Sequence, residues 1–102
     1  MPASAFHAIA DPTRRRILDL LRERGPQRAG DLAQRFPRIS RPAVSKHLRV
    51  LRSSRLVGMQ RRGRELWYRL NAEPLSHVES WVIQYEGFWQ ERLENLKRSV
   101  ER

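Results

Sequence analysis

The chain contains no cysteine, which excludes disulfides, thiolate metal sites and thiol redox sensing. It also contains no apolar run near the length of about 18 residues that spans a bilayer, and no apolar signal-peptide core near its N-terminus. A cytoplasmic, nucleoid-associated protein without a membrane partner is therefore expected. Lysine is scarce, since only Lys46 and Lys97 among the 21 basic residues are lysine. Arginine suits forked contacts to phosphate and guanine, although a GC-rich genome gives the same bias. Repeats, low-complexity tracts and interdomain linkers are absent. So are carboxylate pairs, nucleophile–base pairs and phosphate-cradling glycine loops, and no enzyme is expected. At 102 residues, the chain is expected to form one domain over positions 1–102. A domain of this size buries only about 60–65% of its unfolded surface, which favours oligomerisation.

Acid is scarce where base is abundant. The net charge is +10, which favours a polyanionic partner through steering and counterion release. Residues 1–72 hold 17 basic and 5 acidic side chains, whereas residues 73–102 hold 4 and 6. Between Arg35 and Arg69 there are 11 basic residues and a single acid, Glu65.

The densest part of this region is residues 40–51, SRPAVSKHLRVL. Val44, Leu48 and Leu51 recur at i, i+4 and i+7 and fix one helical face toward a core. Ser40, Arg41, Ser45, Lys46, Arg49 and Arg52 occupy the first turn and the other face, with no acid. An ordinary surface helix mixes both signs of charge. A face wholly cationic and hydroxylic suits a DNA major groove, where small residues permit close approach and Arg or Lys reach guanine edges and phosphates. His47 flanks the apolar face and is open to two roles, packing there or donating to a phosphate.

Around this segment the punctuation is regular. Residues 4–10 read as a short helix presenting Phe6 and Ile9. Asp11 is an N-cap and Pro12 a first helical residue, followed by the core stripe Ile17, Leu18, Leu20 and Leu21 up to Gly25-Pro26. Residues 30–36 read as a third helix, with Leu32, Ala33 and Phe36 inward and Pro37 stopping it. Arg14, Arg15 and Arg16 lie at a helix N-terminus, where the dipole disfavours cations. Pairing of Arg14 with Asp11 or Asp19 accounts for one of them, and phosphate contact is open to Arg15 and Arg16.

From Leu56 to Leu70 the period changes to that of strands, with Val57, Met59, Leu66, Tyr68 and Leu70 alternating with polar residues. Gly63 supplies a turn between them, so a hairpin is expected with Arg61, Arg62 and Arg64 at its tip, placed for phosphate or minor-groove contact. Trp67 is read as packing on the hairpin stem. Residues 74–100 read as one long helix, roughly 40 Å by helical rise. Its apolar stripe runs through Leu75, Val78, Val82, Tyr85, Trp89, Leu93, Leu96 and Val100. Trp81, Ile83 and Phe88 widen the stripe beyond what so small a domain covers. Such a surface usually marks a protein interface. Phe6, Ile9, Tyr85, Phe88, Trp89, Leu93 and Leu96 are the candidate dimerisation residues, with Leu75 to Val82 expected to pack inward.

The order of these segments resembles the ArsR family of dimeric winged-helix repressors across nearly the whole chain. The residues that carry the resemblance are Ile9-Ala10-Asp11-Pro12-Thr13-Arg14 with Ile17-Leu18, then Asp31-Leu32-Ala33, then positions 42–51 from Pro42 to Leu51, and finally Leu56-Val57. Where the family has a glycine after its recognition helix, this chain has Arg55, which then has to adopt a left-handed conformation. The resemblance implies a mainly α fold with a small β-hairpin, a winged helix-turn-helix in the order α-α-α-α-β-β-α, dimerising through its N- and C-terminal helices.

It implies a sequence-specific, homodimeric repressor that binds double-stranded DNA through Ser40, Arg41, Ala43, Ser45, Lys46, His47, Arg49, Arg52, Arg62 and Arg64. The family's metal sites have no counterpart here. Gly30-Asp31-Leu32-Ala33 offers no thiolate on the third helix. On the last helix His77 stands alone, with Leu75 before it and Phe88 and Glu91 after it, which cannot assemble a nitrogen and oxygen site. His7 and His77 are read as surface or interface residues. The run Tyr85-Glu86-Gly87-Phe88-Trp89 looks like the branch without metal sites, so no metal and no cofactor are expected. Regulation by a partner protein or a small ligand is open. A non-specific architectural DNA binder, and a winged-helix module for protein interaction or RNA, are the rival readings.

Overall fold

The computed structural model describes residues 4–100. Ser4 caps the first helix, α1 (Ala5–Ile9), by accepting from the His7 N–H. Asp11 caps α2 (Pro12–Arg24) by accepting from the Arg14 N–H at 3.0 Å, with Pro12 at the first position. Gly25 ends α2 at φ 77°. Next come a two-residue strand, β1 (Gln27–Arg28), and a short helix, α3 (Ala29–Gln34). Its end is tightened by bonds from Phe36 N–H to Ala33 and from Ile39 N–H to Phe36. Ser40 caps α4 (Arg41–Ser53) through the Ala43 N–H, with Pro42 in the first turn.

The wing is β2 (Val57–Arg62) and β3 (Glu65–Leu70), antiparallel and joined by Gly63-Arg64. Gly63 alone of this pair has positive φ, at 63°, the pattern of a type II′ hairpin turn. β1 adds to the outer edge of β3, pairing Gln27 with Tyr68 and Arg28 with Trp67, so the sheet has three strands in the order β1-β3-β2. The third strand was not expected. Two residues between a glycine–proline turn and a helix carry no alternation from which a strand can be read.

The core is one cluster built from α1, α2, α3, α4 and the sheet. Ile17, Leu18, Leu20 and Leu21 of α2 meet Leu32 of α3 and Val44, Leu48 and Leu51 of α4, closed by Leu56, Val57 and Tyr68. The expected stripes of α2 and α4 are thus all buried.

The expected single helix over residues 74–100 is two helices, α5 (Leu75–Ile83) and α6 (Glu86–Val100). Gln84 N–H bonds to Trp81, Tyr85 N–H to Val82 and Phe88 N–H to Tyr85, so three-residue bonds tighten the junction. Val82 and Ile83, both β-branched, and Gly87 are weak helix formers on either side of it. Apolar spacing runs through the junction without interruption, which is why periodicity alone could not reveal it. Leu75 and Val78 lean on the core, whereas α6 buries no residue.

The corner between α4 and the wing is tied from several sides. Arg55 N–H bonds to Arg52, and Leu56 N–H to Leu51, the paired bonds of a Schellman motif. Its hydrophobic contact is supplied by Leu51 and Leu56, both fully buried. Arg55 occupies the left-handed position at φ 66°, as expected from the glycine that the resemblance places there. Asn71 Nδ2 donates to Arg55 O at 2.9 Å, and Ser54 Oγ donates to Leu51 O at 2.8 Å. A left-handed conformation costs a non-glycine residue about 1–2 kcal/mol. Arg55→Gly is therefore expected to stabilise the fold by about 1 kcal/mol once the glycine's backbone entropy is set against that relief. Arg55→Val is expected to destabilise it, and urea midpoints at constant m-value check both.

Candidate nucleic-acid interface

The buried seam Val44, Leu48 and Leu51 decides which side of α4 is outward. Ser40, Arg41, Ser45, Lys46, Arg49 and Arg52 are exposed and Ala43 is half-buried among them. Arg61, Arg62 and Arg64 are exposed at the wing. Among the described residues, none of Arg41, Lys46, Arg49, Arg52, Arg61, Arg62 and Arg64 forms an ion pair.

The acids of residues 4–72 are committed elsewhere. Asp19 and Glu23 pair with Arg22, and Asp31 and Glu65 both pair with Arg28, Glu65 at 2.6 Å. Asp11 caps α2. The cations of α4 and the wing tip are therefore left uncompensated by the fold, as counterion release on a polyanion requires.

Arg28 is clamped firmly. Hydrogen bonds from its guanidinium to Glu65 first and Asp31 second hold it above the ordinary arginine range. Its guanidinium carbon also stands 5.8 Å from the Trp67 ring, and that of Arg62 stands 4.9 Å from the same ring. Trp67 accordingly packs on the stem, as expected, and additionally seats Arg62, a wing cation, through a cation–π contact. Its indole Nε1 is buried without a partner among the described residues.

Arg14 links α1 to α4. Its Nε donates to Ala8 O at 2.7 Å, one terminal nitrogen donates to His7 O at 3.1 Å, and the other lies 3.4 Å from His47 Nδ1. Arg15 donates to Ile9 O at 2.7 Å. The expected pairing of the Arg14 side chain with Asp11 or Asp19 is thus corrected. Only its backbone N–H bonds Asp11, while the guanidinium caps the carbonyl end of α1, where the dipole welcomes it. Sequence spacing could not show this, because the acceptors are backbone atoms of another helix.

His47 is half-buried in the same joint, 3.9 Å from Asp11 Oδ2. Phe6 is exposed and meets Trp81 edge-on at 5.9 Å, Trp81 meets Tyr85 at 5.2 Å, and Tyr85 meets Phe88 at 6.3 Å. Ile9 instead packs against the core. Phe88 is 72% exposed and Leu93 64%, with Trp89 and Leu96 likewise exposed. Among the described residues, no three His, Asp or Glu side chains gather as a metal site, and no helix is long and apolar enough to cross a membrane.

Residues 9–59, running from the end of α1 into the wing, match a family described as a helix-turn-helix domain. The chain is 40% identical over 82 residues to the transcriptional repressor SdpR of Bacillus subtilis, covering 80% of this chain and 89% of that protein. It is 36% identical over 100 residues to the HTH-type transcriptional regulator Rv2034 of Mycobacterium tuberculosis, covering 98% and 89%. An ArsR-like transcriptional regulator from a Rhodococcus species superposes with a TM-score of 0.71 at 36% identity, covering 94% of this chain and 86% of that one. The chain belongs to the ArsR family of winged-helix transcriptional regulators. It is accordingly a DNA-binding regulator and not an enzyme. In this ArsR-family chain β2–β3 is the wing of the winged-helix fold.

The Asp11 cap carries a pH signature. Partial burial works to raise its carboxyl, but the bond from Arg14 N–H, the charges of His47 and Arg14, and a bond from Thr13 N–H outweigh it and hold it below the usual 3.8. A depressed folded value means that stability is fully present above 3.8 and is lost as pH falls through the lower folded value. Asp11→Ala is expected to cost about 1 kcal/mol at neutral pH, within the usual range of about 0.5–2 for removal of a cap. Asp11→Asn keeps the cap and should lose only the acid-sensitive part. Urea midpoints of the three proteins at neutral and at acid pH separate the contributions.

Proposed function

We propose that the chain is a sequence-specific transcriptional repressor that acts as a homodimer on a pseudo-palindromic operator. Ser40, Arg41, Ala43, Ser45 and Lys46 enter the major groove, His47 holds the inner edge of the helix against Asp11 and Arg14, and Arg49 and Arg52 take phosphates. Arg62 and Arg64 reach the flanking groove. Repression follows from the dimer occupying operator sequence that polymerase needs. The observation that carries this reading is the pairing of two unsatisfied surfaces. Arg41, Lys46, Arg49 and Arg52 of α4 and Arg61, Arg62 and Arg64 of the wing form no ion pair among the described residues, and apolar side chains on α6 are exposed. The first calls for a polyanion and the second for a second copy.

A second copy packed through Tyr85, Phe88, Trp89, Leu93 and Leu96, with Phe6 beside Trp81, covers that stripe. Two recognition helices about 34 Å apart then read half-sites whose centres lie one turn, about 10–11 base pairs, apart. Control is assigned to protein concentration, a partner protein or an organic ligand rather than to metal, because the chain has no cysteine and, among the described residues, no three His, Asp or Glu side chains gather around His77.

Lys46→Ala or Arg41→Ala is expected to cost about 1–3 kcal/mol of operator affinity and to relax base preference. Arg62→Ala should weaken all sequences alike and reduce the salt slope by about one for each phosphate it touches. Competition binding of operator against random duplex reads both effects, and Lys46→Ala with unchanged affinity and preference contradicts the assignment. Trp89→Asp is expected to bury unpaired charge in the interface and split the dimer. Sedimentation velocity checks this, and a wild-type monomer at micromolar concentration would contradict the dimer.

A further inference from the structure

The cationic surface continues from Arg49 and Arg52 of α4 into the space between that helix and the wing, where it takes in residues with no role assigned above. Two adjoining depressions share Arg52, Val57 and Gly58, extending to Arg49 and Met59 on one side and to Arg55 and Arg69 on the other. Four arginines line this trough and no acid does. None of the four has an ion-pair partner among the described residues. Guanidinia gathered without acids repel one another, and an anion seated among them reverses that repulsion.

Arg69 is aimed as well as placed. In the sheet it stands opposite Gly58, and a Cβ at position 58 would meet Arg69 Nε at 3.0 Å and Cγ at 3.5 Å. The Arg69 side chain therefore lies across β2 over the space that a larger residue would fill. Arg55 is the other unusual member. It holds a left-handed position that glycine adopts without strain, so its side chain is retained at a cost in stability.

We propose that this trough grips the sugar–phosphate backbone of the DNA strand that divides the groove read by α4 from the groove reached by the wing, with Arg52, Arg55 and Arg69 on its phosphates. The proposal rests on the reading in which α4 enters the major groove. Adjacent grooves of a duplex are separated by one backbone, so a strand has to cross the gap between recognition helix and wing. The arginines line that gap. A phosphate contact also explains why a strained arginine stands where glycine would be more stable, a trade of stability for binding.

The test needs no operator, because phosphate contacts are indifferent to sequence. Anisotropy titrations use a duplex of arbitrary sequence, about 30 base pairs long, over a range of salt concentrations. Arg55→Gly and Arg69→Ala are each expected to flatten the slope of log affinity against log salt by about 0.9 for every phosphate no longer neutralised, and by twice that in a dimer. Gly58→Val keeps every charge and suits a strand, and should weaken duplex binding by pushing Arg69 off its line. Arg22→Ala, whose guanidinium is paired with Asp19 and Glu23 on α2, should leave the slope unchanged. Arg55→Gly should melt no lower than wild type, so weakened binding there cannot be unfolding.

If the wild type shows no salt-dependent duplex binding, the functional reading itself fails. If it binds steeply while Arg55→Gly and Arg69→Ala keep its slope, the trough is refuted and the function stands. Inorganic phosphate, titrated calorimetrically, separates a strand from a free anion. Absence of saturable binding supports the strand, and saturable binding abolished by Arg69→Ala would overturn it.

Discussion

Burial of Val44, Leu48 and Leu51 against α2 and α3 is the contact on which the rest depends. It sets the rotation of α4 about its own axis, and rotation decides which side chains meet solvent. A turn of one residue, about 100°, would send cations into the core, where an unpaired charge costs several kcal/mol. The apolar seam and the cationic face are therefore one constraint seen from two sides. The same seam delivers Leu51 to the Schellman contact with Leu56, which directs the chain into the wing. Orientation of α4 and the wing thus descends from three aliphatic side chains and a tight corner.

Electrostatics completes what packing begins. Acids of the N-terminal two thirds pair with Arg22 and Arg28 or cap α2, and among the described residues none pairs with Arg41, Lys46, Arg49 or Arg52 of α4. Arg28 shows how the division is kept near the wing. By holding both Asp31 and Glu65 it draws the wing's one acid away from Arg62, its cross-strand partner in register. Trp67 then seats Arg62 by its ring. Arg14 and Arg15 work in the opposite sense, spending their charge on the carbonyl end of α1 and joining that helix to α2 and, through His47, to α4.

Much of this was legible in the sequence, for reasons that differ from element to element. α2 and α4 announced themselves because caps, prolines and apolar spacing agree at both. Gly63 was readable as a positive-φ position because a hairpin turn demands one, and Arg55 because it stands where the resemblance places a glycine. The β1 strand was not readable, since two residues hold no period and its pairing depends on a distant β3. The break between α5 and α6 was hidden by an apolar spacing that continues through it. Among the candidate DNA-contacting residues, the structure places those of α4 on one exposed face, except half-buried Ala43 and His47. Arg55 and Arg69 were missed as part of the charged surface. One was legible only as a strained turn and the other as a polar strand position, and it took the fold to bring them beside Arg52.

The central claim is that two copies of this chain present their α4 helices to one face of a duplex. Hydroxyl-radical footprinting of the purified protein on its own gene's promoter tests this directly. The account predicts two protected patches on one face of the duplex, related by approximate two-fold symmetry and about one helical turn apart, unchanged by a metal chelator. Uniform protection without boundaries, or a footprint that appears or vanishes with chelator, would contradict it.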